Sequence, residues 1–127
     1  MSDFPENLYY AQTHEWATLE DNQHVRIGIT DFAQAELGDL VFIELPEVGR
    51  TLTVGEQCAV VESVKTASDL FAPVAGVIVE INDKVCDEPE LVNDAPYENW
   101  LFCIKADNVK ELENLMSASA YQQMIHN

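Results

Sequence analysis

One lysine stands apart from the rest of this chain. Lys65 is the first lysine and the only basic residue between Thr51 and Asp83, a stretch that also holds Glu56, Glu62, Asp69, Glu80 and Asp83. It separates two apolar runs, Val60-Val61-Glu62-Ser63-Val64 and Thr66-Ala67-Ser68-Asp69-Leu70-Phe71. Such runs read as neighbouring strands, which puts the lysine at a hairpin tip, pointing into water. An amine on a rigid post is within reach of a modifying enzyme. It must lose a proton to act as a nucleophile, and the enzyme's active site would have to arrange that. Once acylated it becomes a long uncharged arm that rests on apolar surface or swings free. Lysines on turns also serve solubility alone, and spacing does not separate the two readings.

The other reactive side chains suggest less. The three cysteines, Cys58, Cys86 and Cys103, include no CxxC pair, and no metal-ligand spacing joins them to His14, His24 or His126. Cys58 and Cys103 fall in apolar strand segments and read as buried reduced thiols, a redox role being the competing reading. No nucleophile motif or phosphate-binding glycine loop supports an enzyme built on a cysteine and a histidine.

Composition narrows the class. With 127 residues, 47% of them hydrophobic and 23% charged, the chain suits one globular domain with a core of its own. Six basic residues against 23 acidic ones leave a net charge of -17. Nucleic acid and anionic membranes both need basic partners, so neither is expected. The charge keeps the protein soluble and monomeric, and it could also steer it onto basic partners. No apolar run is long enough to span a bilayer, and the stretch Met1 to Tyr10 lacks the basic and apolar blocks of a signal peptide and the arginines of a transit peptide. A cytoplasmic location is the expectation, with a mature mitochondrial matrix form as the alternative.

The elements that must position Lys65 are mostly short strands. Glu15–Leu19 and His24–Ile29 flank the polar turn Glu20-Asp21-Asn22. Thr30-Asp31 has the chemistry of a helix start and Gly38 of its stop, with Phe32, Ala35 and Leu37 expected inward. Further strands are expected over 40–45, 57–64, 66–72, 77–81 and 100–104, with a turn at Pro73 to Gly76 and a polar loop opening at Asn82-Asp83 and containing Pro89. The tail reads as helical from about 108 to 126. Asn108 and Glu111 approach a capping box, Val109, Leu112, Leu115 and Met116 follow at helical spacing, and Ser117 caps a second helix bearing Tyr121, Met124 and Ile125. Many strands with helices at the end predict a small barrel or sandwich with helical flanks.

The string Glu62-Ser63-Val64-Lys65-Thr66-Ala67-Ser68-Asp69 resembles the lipoyl-attachment motif of glycine cleavage H proteins. The likeness extends over nearly the whole chain. Thr13-His14-Glu15-Trp16 is similar to the family's N-terminal signature, followed in family order by Ile27-Gly28-Ile29-Thr30-Asp31, Ala33-Gln34, Leu37-Gly38-Asp39 and Val41-Phe42-Ile43-Glu44-Leu45-Pro46. Beyond the lysine come Ala72-Pro73-Val74-Ala75-Gly76 and Glu90-Leu91-Val92-Asn93. Biotin carriers flank their lysine with methionines, where this chain has Val64 and Thr66; lipoyl domains of 2-oxo acid dehydrogenases usually carry Asp-Lys-Ala and lack the block from Thr13 to Trp16. One departure is visible: the family's late Tyr-x-x-Gly-Trp becomes Tyr97-Glu98-Asn99-Trp100, a residue shorter and without the glycine.

The resemblance implies a mainly β fold, a lipoyl/biotinyl-type barrel-sandwich hybrid with short flanking helices and a helical C-terminus. It would form a single carrier domain over 1–127 with its core over about 22–104. It implies lipoic acid attached as N6-lipoyllysine at Lys65, with Glu62 and Gly76 read by the lipoate ligase or lipoyltransferase. Thr13, Glu15 and Asp69 match positions lining a cleft for the loaded arm, while His14 and Trp16 are expected to be structural. The implied role is carriage without catalysis. A pyridoxal-phosphate glycine decarboxylase loads an aminomethyl group, and a tetrahydrofolate-dependent aminomethyltransferase unloads it. An FAD-containing dihydrolipoamide dehydrogenase then reoxidises the arm. The alternatives are an H-like donor relaying lipoate to 2-oxo acid dehydrogenases and an unmodified acidic interaction module.

Overall fold

The structure, a computed structural model, describes residues 4–126, so the extreme ends of the expected 1–127 unit and of the Met1 to Tyr10 stretch lie outside the described residues. Alternation of apolar and polar residues drives the strands. The chain runs through β1 (Tyr9–Tyr10), β2 (Glu15–Leu19), β3 (His24–Ile29), helix α1 (Asp31–Leu37), β4 (Leu40–Glu44), β5 (Thr51–Leu52), β6 (Gln57–Ser63), β7 (Ala67–Phe71) and β8 (Gly76–Ile81). Two short helices follow, α2 (Asp83–Asp87) and α3 (Glu90–Asp94), then β9 (Phe102–Ala106), a 3₁₀ segment (Val109–Asn114) and α4 (Ala118–His126).

The strands form a six-stranded sheet in the order β1-β2-β3-β9-β8-β5 and a three-stranded sheet in the order β4-β6-β7. Every pairing is antiparallel. Buried residues of both sheets, among them Val25, Ile27, Ile43, Val61, Leu70, Ile78 and Ile104, share one core cluster. The mainly β sandwich with flanking helices is therefore the fold expected. A smaller cluster of Tyr10, Trp16, Ala118 and Tyr121 fastens α4 against the start of the chain. There Tyr10 and Tyr121 stack with ring centroids 4.9 Å apart.

Two glycines are dictated by close approach. Gly28 lies opposite Trp16 across β2 and β3, and a Cβ on it would come within 2.7 Å of the indole. On Gly76, at the start of β8, a Cβ would run into the carbonyl oxygen of Lys105 on β9.

Several local expectations are corrected. The loop after Asn82 folds into α2 and α3 because Val85 and Val92 are pulled fully into the core. On α1 the inward residue is Ala33, and Ala35 is exposed, so the buried stripe is rotated from the expected one. The first tail segment is 3₁₀, and its capping box does not close. Asn108 accepts from the Lys110 N–H, but the Glu111 carboxylate accepts from the Ala75 N–H instead of reaching back. Met116 leaves the helical stripe to pair with the backbone of Tyr10. Ser117 does cap α4, through the Ala120 N–H. The turn lacking the family glycine is closed by Asn99, whose side-chain amide donates to the carbonyls of Leu91 and Ala95.

Gly76→Ala is expected to destabilise the protein by about 1–3 kcal/mol, the range for overpacking a filled interior. Gly28→Ala should do the same, both read from urea unfolding midpoints at unchanged slope.

Candidate functional site

Lys65 occupies the three-residue turn between β6 and β7, with Val64 and Thr66 on either side. The Ser63 N–H closes this turn on the Thr66 carbonyl (2.7 Å), and the Ser63 hydroxyl adds to the brace. Ser63 Oγ accepts from the N–H groups of Lys65 (3.3 Å) and Thr66 (3.2 Å) and donates to the Thr66 carbonyl (3.2 Å). The Val64 N–H donates to the Asp39 carbonyl (3.1 Å), which moors the tip to the segment between α1 and β4. The backbone under the lysine is thus hydrogen-bonded on both flanks while its side chain stays exposed. Among the described residues the Lys65 amine has no ion-pair partner. Its stem passes over Gly38, where a Cβ would lie 3.5 Å from Lys65 Cε. Gly38 closes α1 with φ +85°, a left-handed conformation that glycine adopts without strain.

Leu37, next in the chain to Gly38, borders a cavity of about 180 Å³ lined also by Thr13, His14, Ile29, Phe32, Ala33, Glu36, Ser68 and Leu70. Its walls come from α1, β7 and the tight loop of residues 11–15. That loop is closed by the His14 N–H donating to Ala11 and the Ala11 N–H donating to Glu15, and it holds His14 at φ 76°. His14 Nδ1 is 2.7 Å from the Tyr121 hydroxyl, which is in turn 2.8 Å from Thr30 Oγ1, the cap of α1. His14 is therefore both structural and a lining residue. Burial holds its pKa below the ordinary value against the pull of Glu36.

Glu15 is the buried charge-bearing group nearest this cavity, 1% exposed. It accepts from the Thr13 hydroxyl and, at 3.0 Å, from the Phe71 N–H. Burial raises its pKa to about 7, and these two donors only partly offset the desolvation. Glu15 also borders a neighbouring depression, with Thr13, Val54, Phe71 and Leu115. Thr13 lines both hollows.

Of the residues singled out by sequence, Thr13 and Glu15 are brought together and Asp69 is not. β7 alternates: Ser68 and Leu70 face the cavity, so Asp69 faces outward, exposed, in register with Val60. Glu62 lies on the same outer face, paired with Phe42 and Ala67. Gly76 is buried in the other sheet. Ser63, Ser68 and Phe32 escaped the sequence reading as site residues. Ser63 left a signal, a hydroxyl two residues before a turn lysine, the place of an ST-turn. The thiols are free; burial pushes Cys58 up to about 12 and Cys103 to about 11, so both are unreactive protonated groups, while Cys86 is exposed. No helix among the described residues is long and apolar enough to cross a membrane.

An exposed lysine on a braced hairpin is the arrangement the sequence motif implied, and comparison with known proteins decides the family. Residues 8–127 match the family described as Glycine cleavage H-protein. The chain belongs to that family. It is 52% identical over 126 residues to the glycine cleavage system H protein of Escherichia coli O7:K1, covering 98% of each chain. It is 50% identical to glycine cleavage system H protein 2 of Pseudomonas aeruginosa over 98% of this chain and 97% of that one. A crystal structure of the H protein of Mycobacterium marinum superposes with a TM-score of 0.88 at 41% identity, covering 97% and 99% of the two chains. Like other H proteins, this chain is a non-catalytic lipoyl carrier of the aminomethyl group within the glycine cleavage system, and its family carries the lipoyl group on a lysine. The other components of that system are the partners its family implies.

Glu15 makes stability depend on pH in a definite direction. Its folded pKa lies above the unfolded value of 4.5, so its contribution is intact below pH 4.5 and is lost as pH rises to about 7. The loss is up to about 3 kcal/mol. Urea unfolding across about pH 5 to 8 should show this decline in the wild type and a flatter profile in Glu15→Gln.

Proposed function

We propose that Lys65 is the lysine that bears the lipoyl group, and that the hollow between α1 and β7 receives the loaded arm. The observation that carries this reading is the exposed Lys65 amine, without an ion-pair partner among the described residues, on a turn braced by Ser63, its stem over Gly38, the chain neighbour of Leu37 on the wall of the hollow. The residues present suit such a group. The stem is unhindered, and Ile29, Phe32, Leu37 and Leu70 offer apolar walls to an acyl chain. When bound, the lipoyl group supplies a disulfide that accepts electrons and cargo together. The protein's part is to place the arm and to exclude water from what it carries.

Attachment needs an activated acyl donor, an acyl adenylate or acyl thioester, supplied by a lipoate ligase or lipoyltransferase. The deprotonated Nζ attacks the acyl carbonyl and the new amide forms. The bond to the leaving group breaks and the amine proton passes to a base on that enzyme. Glu62 and Gly76 are the residues proposed to govern recognition. Glu62 is exposed near the turn. Gly76, being buried, acts by keeping β8 in place against β9.

The cargo carries an amine that is an ammonium near neutral pH. Thr13 and Glu15 are the proposed receptors for it, with Ser68 in place of Asp69 on the wall of the hollow. An ammonium beside Glu15 favours the carboxylate, so its arrival expels the carboxyl proton. The partners proposed in detail are the pyridoxal-phosphate glycine decarboxylase, the tetrahydrofolate-dependent aminomethyltransferase and the FAD-containing dihydrolipoamide dehydrogenase. The net charge of -17 supports a monomer with basic partners and no binding to nucleic acid or anionic membrane. The relatives named above are bacterial, which supports a cytoplasmic location.

The lipoylated chain should support glycine–bicarbonate exchange with the decarboxylase, and Lys65→Arg should not. A lipoylated chain that fails in exchange but passes its lipoyl group to a 2-oxo acid dehydrogenase would favour the donor role instead. Loaded-carrier lifetime should shorten on acidification, which protonates Glu15, and Glu15→Gln should shorten it about tenfold, the worth of one charge-assisted hydrogen bond. Equal lifetimes would remove Glu15 from this role.

A further inference from the structure

The three-stranded sheet has an outer face as well as an inner one. Cross-strand register places Phe42, Glu62 and Ala67 in one row of that face and Glu44, Val60 and Asp69 in the next. The inner row, Ile43, Val61 and Ser68, belongs to the core and the hollow. A register shift between Leu40 and Phe42 disturbs the edge strand next to the Lys65 turn. Two consecutive apolar side chains, Val41 and Phe42, are consequently left exposed, at 56% and 47%. Val64, adjoining Lys65 and tied through its N–H to Asp39, is 71% exposed. Bulges re-aim side chains, and an exposed aromatic among aliphatic neighbours is the composition of an interface centre. Exposed acids, Glu44, Glu62 and Asp69, surround it; Lys65 stands at the turn, and Arg50 lies at the other end, in a depression shared with Glu44 and Val60.

We infer that this outer face, centred on Phe42 with Val41 and Val64, is the docking surface for the enzyme that acylates Lys65, which meets it with an apolar centre and a basic rim. The choice of partner follows from where each enzyme must act. An enzyme that acylates Nζ has to bring its catalytic groups to the lysine stem, so its footprint necessarily covers the turn and the strands beside it. Enzymes that load, unload or reoxidise the arm react with sulfurs at the far end of the acyl chain and need not cover its base. Asp69, which faces this surface and not the hollow, then serves the rim together with Glu62 and Glu44. Opposite charge across such a rim speeds encounter and fixes orientation. The inference rests on Lys65 being the acylated residue.

The test is the second-order rate of acylation of the full chain by a lipoate ligase with lipoate and ATP, followed by intact mass. Phe42→Ser with Val41→Ser should lower that rate about tenfold or more, as expected on losing a central aromatic anchor. Phe42→Leu should stay within about threefold. Asp69→Lys, which leaves the apolar centre intact, should also lower the rate and weaken its dependence on salt. Urea midpoints identify any variant that is merely unfolded. Each variant, driven to full acylation with excess ligase, should then exchange with the decarboxylase like the wild type. Acylation of the serine double variant and of Asp69→Lys at the wild-type rate would overturn the docking surface while leaving Lys65 as the carrier site. So would normal acylation combined with impaired exchange, which would assign the face to a tip-acting partner. A wild-type chain that accepts no acyl group would overturn the carrier site, and the docking surface with it.

Discussion

A lysine offered for acylation must stand in water while the backbone beneath it is held still, and at the Lys65 turn the Ser63 N–H and hydroxyl meet both demands. The hydroxyl bonds two N–H groups of the turn and, with the Ser63 N–H, the Thr66 carbonyl, so the tip is satisfied without any help from the Lys65 side chain. The β6–β7 pairing below it is continuous with β4, and the Val64–Asp39 bond ties the tip to the exit of α1. The orientation of the hollow, the course of the lysine stem over Gly38 and the division of β7 into an inner and an outer face all follow from that anchored register. A one-residue slip would exchange Ser68 for Asp69 and carry the acid into the hollow.

The second organising element is a charge kept where water is scarce. Glu15, at the start of β2, accepts from Thr13 in the loop before it and from Phe71 on β7, so its carboxyl ties the six-stranded sheet to the three-stranded one. Those donors do not fully compensate its burial, which leaves the acid near its titration midpoint at neutral pH. Such a group is poorly suited to being a static structural ion. It is suited to receiving a cation, because the cation supplies the missing compensation. The rest of the negative charge lies largely on the surface, where it is solvated at little cost.

Much of this was legible in the sequence because local chemistry and global fold agree. Val25, Ile27 and Ile29 alternate as a half-buried strand should, and Thr30 and Gly38 bound α1 as their side chains dictate. The lone Lys65 between two apolar runs indicated the turn, and its surrounding motif indicated the chemistry. What escaped was decided by tertiary contact. The polar segment after Asn82 has too few apolar residues to announce helices, and two buried valines suffice to fold it. Glu111 abandons its capping box for Ala75, a residue 36 positions away that no local pattern could reveal. Family position alone points Asp69 to the cleft, whereas strand alternation puts it on the outer face. The register that decides this is a pairing between strands and is not written in either strand by itself.

The most direct test of the account is the intact mass of the protein produced with lipoate available, compared with Lys65→Arg produced in the same way. The account predicts a lipoyl mass increment on the wild type and none on the variant. An unmodified wild type in the presence of a competent ligase, or an increment that persists in Lys65→Arg, would contradict it.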